Sequence, residues 1–192
     1  MNGTAIFFFM IFVVLLLGII STVLLVMYNL LVRREERVNE SWAQVEAMCQ
    51  RKVDLIPALL EVVNNYCQHE QDTLQGVIRA RAQSEQLVEE LSGLTAVSDE
   101  NLQTLAKAQA QLAAGLGQVH ALGERYPDLK ANVHYQTMQA QLQETEDAVT
   151  GARQWYNRCV RSYNGGLKTF PYNVLAGAFK FQPRAYFAEN QG

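Results

Sequence analysis

The chain has 192 residues, 49% of them hydrophobic and 18% charged, with a net charge of −3. That mildly acidic balance gives no basis for nucleic-acid binding. Its three cysteines, Cys49, Cys67 and Cys159, fit neither a metal motif nor a disulfide framework and read as small buried hydrophobes in a reducing compartment.

Residues 1–4 form a short N-terminal end. From Ala5 to Tyr28 no residue is charged, and AIFFFMIFVVLLLGIISTVLLVMY is almost wholly aliphatic or aromatic. A hydrocarbon core of ~30 Å needs about 20 apolar residues at 1.5 Å each, so residues 5–28 predict a transmembrane helix. A secretory signal would carry a basic start, a shorter apolar stretch and a small-x-small cleavage site. None is present, so the segment is expected to remain as an anchor. No Lys or Arg precedes it, whereas Arg33, Arg34 and Arg37 follow closely. The positive-inside rule then predicts an external N-terminus and a cytoplasmic domain.

Residues 29–168 predict an all-α domain, an elongated antiparallel four-helix bundle with coiled-coil-like spacing. The first helix continues from the anchor, with Val38, Trp42, Val45, Cys49 and Val53 three and four apart. Pro57 lacks an N–H and disfavours helix at the residue before it, which predicts a turn or sharp kink there. A second helix over 57–91 carries Leu59, Val63, Leu74, Val77 and Val88. After the polar loop SGLTAVSDEN, Ser98 is a candidate N-cap for a third helix over 99–126. The turn YPDLK leads to a fourth, over 129–167, with Tyr135, Leu142, Val149, Tyr156 and Tyr163 inward. Short loops make the helices antiparallel neighbours. The Pro57 and Pro127 turns are then expected at the far end, and the second loop and the tail beside the bilayer.

The tail, 169–192, differs from the rest. FPYNVLAGAFKFQPRAYF combines aromatic residues with Lys180 and Arg184 and has no acid before Glu189. Such a mixture suits lipid headgroups, which makes Arg33, Arg34, Arg37, Phe179, Phe181, Arg184 and Phe187 candidates for a membrane interface. The alternatives are that Phe170, Val174 and Phe179 seal the base of the bundle, or that the tail meets a partner.

No catalytic, cofactor-binding or metal-binding constellation emerges. His69, His120 and His134 lie on different segments, and no phosphate loop, nucleophile elbow or paired CxxC occurs. The sequence therefore predicts a protein that is not an enzyme and needs no cofactor. Asp54, Glu70, Arg81, Glu144 and Arg153 fall at or beside the apolar stripes. They are either solvated and paired near the surface or part of a buried polar layer that fixes helix register.

The stretch from Tyr28 to Gln83, beginning YNLLVRREERVNESWAQVEAMCQRKVDLIPALL, resembles the signature half of the LemA family. GLGQVHALGERYPDLKAN, QLQETED, ARQWYN, VRSYN and the aromatic tail match the rest of that pattern, so the likeness covers essentially everything beyond the anchor. It implies a bacterial protein of the inner (cytoplasmic) membrane with an elongated four-helix domain and no established activity or cofactor. The family's link to magnetosome membrane formation implies a part in membrane organisation. Two functional expectations follow. One is a non-enzymatic scaffold that self-associates as a homo-oligomer, with its tail on the lipid bilayer. The other is a monomeric tethered adaptor offering its distal turns, with Arg51, Lys52, Asp54, Asp128 and Lys130, to a membrane or cytoplasmic protein.

Overall fold

The computed structural model describes residues 3–94 and 96–187, with side chains from residue 7 onward. Among these the chain is all-helical: α1 Gly3–Tyr66, α2 Gln71–Leu91, α3 Asp99–Arg125, α4 Pro127–Ala131, α5 Val133–Lys168 and α6 Tyr172–Ala178. The first of these dominates the molecule. At 1.5 Å per residue its 64 residues run for about 96 Å without interruption. Between Phe7 and Val26 its side chains are exposed, Val13 alone being half-covered, and this stretch is long and apolar enough to cross a membrane. Beyond Met27 one face becomes buried.

The expected break at Pro57 does not occur, because Pro57 lies inside α1. A proline at position 57 deprives the carbonyl of Val53, four residues earlier, of its donor. That carbonyl instead accepts a hydrogen bond from Nε of Arg81 on α2, at 3.2 Å. Arg81 is itself held by Glu85 at 2.9 Å. A neighbouring helix thus supplies the bond that the proline removes, and the turn moves on to residues 67–70. There Cys67 N–H still reaches Val63 O at 2.9 Å, and Glu70 N–H reaches Cys67 O at 3.0 Å. No side chain caps the start of α2. Glu70 is committed across the tip instead, to Arg125 and to the hydroxyl of Tyr126, both at 3.2 Å.

Local signals set the other ends, and Ser98 acts as expected. Ser98 accepts from Asn101 N–H at 3.2 Å and caps α3. The YPDLK turn is the short helix α4, after which Asn132 caps α5 by accepting from Tyr135 N–H at 3.1 Å. At Gly93, φ is +73°, which only glycine adopts without strain in the α2–α3 loop.

The part of α1 beyond Met27 shares one core with α2, α3 and α5. The core has two halves. Nearer the anchor lie Trp42, Val45, Val88, Leu102, Val149 and Tyr156; toward the tip lie Ile56, Leu59, Val77, Leu112, Val119 and Tyr135. Between them each of the four helices contributes one buried polar residue: Lys52, Ser84, Gln109 and Thr145. Gln109 Nε2 donates to Ser84 Oγ at 2.6 Å, Thr145 Oγ1 donates to Gln141 O at 2.7 Å, and Lys52 pairs with Glu146. A polar layer is therefore present, but it is not built from Asp54, Glu70, Glu144 and Arg153. Beside it α3 and α5 stand apart around a groove of about 520 Å³ into which Lys52, His120 and Glu146 face. All three cysteines are buried free thiols, and burial pushes the Cys49 thiol up from its ordinary range.

Candidate membrane interface

At the base of the domain the tail folds back along the end of the apolar run. Lys168 closes α5, and residues 169–179, TFPYNVLAGAF, carry no charge before Lys180. Within this segment α6 lies against α1, burying Leu175 with Met27 and Leu31. Tyr28 stacks near Phe179, with ring centroids 4.8 Å apart, and near Phe181 at 6.0 Å. The opposite surface of the segment is bare: Phe170 is 77% exposed, Val174 63% and Phe179 58%. Of these, Phe170 and Val174 sit beside Ile20, Val23 and Leu24, four to eight residues inside the apolar run from Tyr28. At 1.5 Å per residue, that is about 6–12 Å below its end.

After Lys180 the chain becomes an extended clasp laid on α5. The side-chain amide of Asn164 donates to Arg184 O at 2.8 Å and accepts from Arg184 N–H at 2.9 Å. Asn157 does the same for Phe187, donating to its carbonyl at 3.0 Å and accepting from its N–H at 2.8 Å. The spacings explain the register. Seven residues of helix rise about 10.5 Å, and three residues of extended chain cover about 10 Å, so two asparagines seven apart meet two backbone units three apart. Tyr163 and Tyr156 donate their hydroxyls to Gln182 O at 3.1 Å and Ala185 O at 3.0 Å. Burial pushes both phenols up to about 12, with Glu35 adding to the rise at Tyr163. Arg184 pairs with Glu35 at 2.7 Å, and the Arg153 guanidinium lies 4.6 Å from the centre of the Phe187 ring.

The candidate residues therefore part company. Arg33, Arg37 and Phe179 are exposed at the base, and Arg34 and Phe181 are half-buried there. Phe187 is only 1% exposed and belongs to the core, while Arg184 is engaged by Glu35; neither forms an outer surface. Conversely Phe170 and Val174, which the sequence offered as seals for the base, are among its most exposed apolar side chains. The signal that distinguishes them was present but local: 169–179 is the uncharged part of the tail, and the two cations that bracket it mark its edges.

The distal set does not come together. Asp128 and Lys130 are exposed at the tip, Lys130 paired with Glu124 at 2.7 Å. Because α1 runs on to Tyr66, Arg51 and Asp54 lie about 18–22 Å short of its end at 1.5 Å per residue. Lys52 is only 1% exposed, at the floor of the groove beside Glu146, so it presents no surface to a partner.

Protein LemA of Metamycoplasma hominis is 24% identical over 175 residues, covering 91% of this chain and 75% of that protein. Magnetosome protein MamQ 2 of Paramagnetospirillum magneticum is 25% identical over 181 residues, covering 86% of this chain and 66% of its own. Magnetosome protein MamQ of Magnetospirillum gryphiswaldense is 25% identical over 182 residues, covering 88% and 67%. The model of the LemA family matches residues 41–192, nearly the whole of the domain with its clasp and its base, and the chain belongs to that family.

Proposed function

We propose that the protein is a membrane-anchored, non-enzymatic helical scaffold that self-associates in the plane of the bilayer and organises membrane or membrane proteins. The observation that carries this reading is the continuity of α1. The helix that enters the membrane is also the longest wall of the domain, so the domain stands at a fixed attitude on its anchor. The uncharged, exposed surface of 169–179 at the level of the apolar run supports a base seated in the headgroup region and outer hydrocarbon. Arg33, Arg34 and Arg37 support an inner-membrane topology with the domain in the cytoplasm. The magnetosome proteins among the relatives favour a role in membrane organisation.

Lateral association has a suitable face. Gly18 and Thr22 are nine residues from Met27 and Leu31 respectively, which is two and a half turns. They lie across the helix from α6, with the Thr22 hydroxyl turned back onto Gly18 O at 2.9 Å. Small residues four apart let two membrane helices approach closely. The deciding measurement is the mass and shape of the full-length chain in nanodiscs or mild detergent, by light scattering and particle imaging. A closed multimer that Gly18→Leu weakens is the expected result. A monodisperse monomer sinks the scaffold and leaves the tethered adaptor, whose surface is then the tip around Asp128 and Lys130.

A further inference from the structure

We propose that the cleft between α6 and the membrane segment of α1 seats one anionic phospholipid of the bilayer, an acyl chain in the cleft and the phosphate at Arg34. This rests on the reading above, that 169–179 is immersed at the edge of the membrane.

The cleft has a volume of about 370 Å³ and is lined by apolar side chains, among them Ile20, Val23 and Leu24 on one wall and Phe170, Val174 and Leu175 on the other. With no polar partner in its walls, it offers a water molecule nothing to bond to. It opens onto the bare flank of the apolar run, where hydrocarbon chains are the surrounding solvent. The buried contact of Leu175 with Met27 and Leu31 closes it at the headgroup end.

The cation stands immediately past that closure. The Arg34 guanidinium carbon is 5.6 Å from the centre of the Tyr172 ring, and the neighbours of Tyr172 along the chain, Phe170, Pro171 and Val174, line the cleft. Arg34 also lies against Gly166, where any Cβ would collide with its Nη1. Among the described residues no carboxylate lies within ion-pair distance of Arg34, whereas Arg184 is committed to Glu35. A guanidinium held by a ring and a glycine, with no counter-ion among the described residues, presents a fork that matches phosphate oxygens. A cation at the headgroup with no carboxylate beside it favours a lipid of net negative charge over a zwitterion.

The test uses the full chain reconstituted in vesicles of equal phosphatidylglycerol and phosphatidylcholine, then released in mild detergent and weighed by native mass spectrometry. One phosphatidylglycerol retained per chain is expected. Arg34→Gln should lower the preference for it about tenfold, the loss of roughly one charge-assisted hydrogen bond. Val174→Trp, which fills the cleft from an exposed position, should remove retention of both lipids while the helical content is unchanged. A separate variant, Phe170→Trp, reports depth through quenching of its added indole by brominated lipid. Quenching without a retained lipid leaves the immersed base standing and overturns the lipid seat. Absence of quenching overturns both. A second protein chain held in place of lipid, and lost with Val174→Trp, also overturns the proposal, since the occupant is then another copy.

Discussion

Pro57 and Arg81 form a matched pair, and the match can be broken from either side. With proline at 57, Arg81→Leu leaves the Val53 carbonyl without a donor, a cost of about 1–3 kcal/mol. In a Pro57→Ala background the helix supplies its own bond, and the same arginine substitution should cost much less. A double-mutant cycle on thermal melts of the full-length protein measures the difference. Equal costs in both backgrounds would dissociate Arg81 from the proline. Lys52 offers a second residue-level contrast. It is wholly buried, while its partner Glu146 has a side chain 42% exposed. Glu146→Leu strands an ammonium in the core and should cost about 3–5 kcal/mol. Lys52→Met leaves behind a carboxylate that water can reach and should be neutral or stabilising by the same melts.

The C-terminal clasp is the element whose strength depends most clearly on pH. Tyr156 and Tyr163 keep their protons up to about 12 when folded, against about 10 for the free phenol. The unfolded chain therefore ionises first as pH rises. The clasp keeps its full contribution below about pH 10 and loses it as pH climbs from there to about 12. Phenolate absorbance, followed with protease sensitivity of the tail, should show both rising together in that window, and Asn164→Ala should make the tail sensitive at lower pH. Phe187→Ala should behave as a core deletion, costing about 3–5 kcal/mol, rather than as the loss of a membrane contact. The physical reason is also the reason the clasp was hard to read. Residues 182–187 have the aromatic and basic composition of an interfacial segment, and nothing local says that Asn157 and Asn164 will pair with their backbone. The long apolar run, the Ser98 cap and the stripe of α3 were legible because each signal lies within a few residues of its effect, whereas the Asn132 cap was missed and the last long helix was expected to start at 129. The course of α1 was not, because the donor that rescues Pro57 lies 24 positions downstream on another helix. At the base, the sequence placed Phe187 outside and offered Phe170 and Val174 as seals, whereas Phe187 is buried and the other two are exposed, a choice made only when the tail folds back on α5 and α6 packs against Met27 and Leu31.

At the scale of the whole molecule, the polar layer and the two apolar half-cores fix how α1, α2, α3 and α5 slide past one another. Gln109 on α3 must meet Ser84 on α2, and Lys52 on α1 must meet Glu146 on α5. The unbroken α1 then turns the domain into a pointer. From Tyr28 to Tyr66 it extends about 57 Å beyond the apolar run at 1.5 Å per residue. A tilt of about 10° in the membrane, the kind of adjustment a segment makes when bilayer thickness changes, swings the tip sideways by about 10 Å. For an anchored domain of the kind proposed, lipid thickness would become lateral reach: in a thin bilayer the domain would lean and its tip move sideways, and in a thick one it would stand upright.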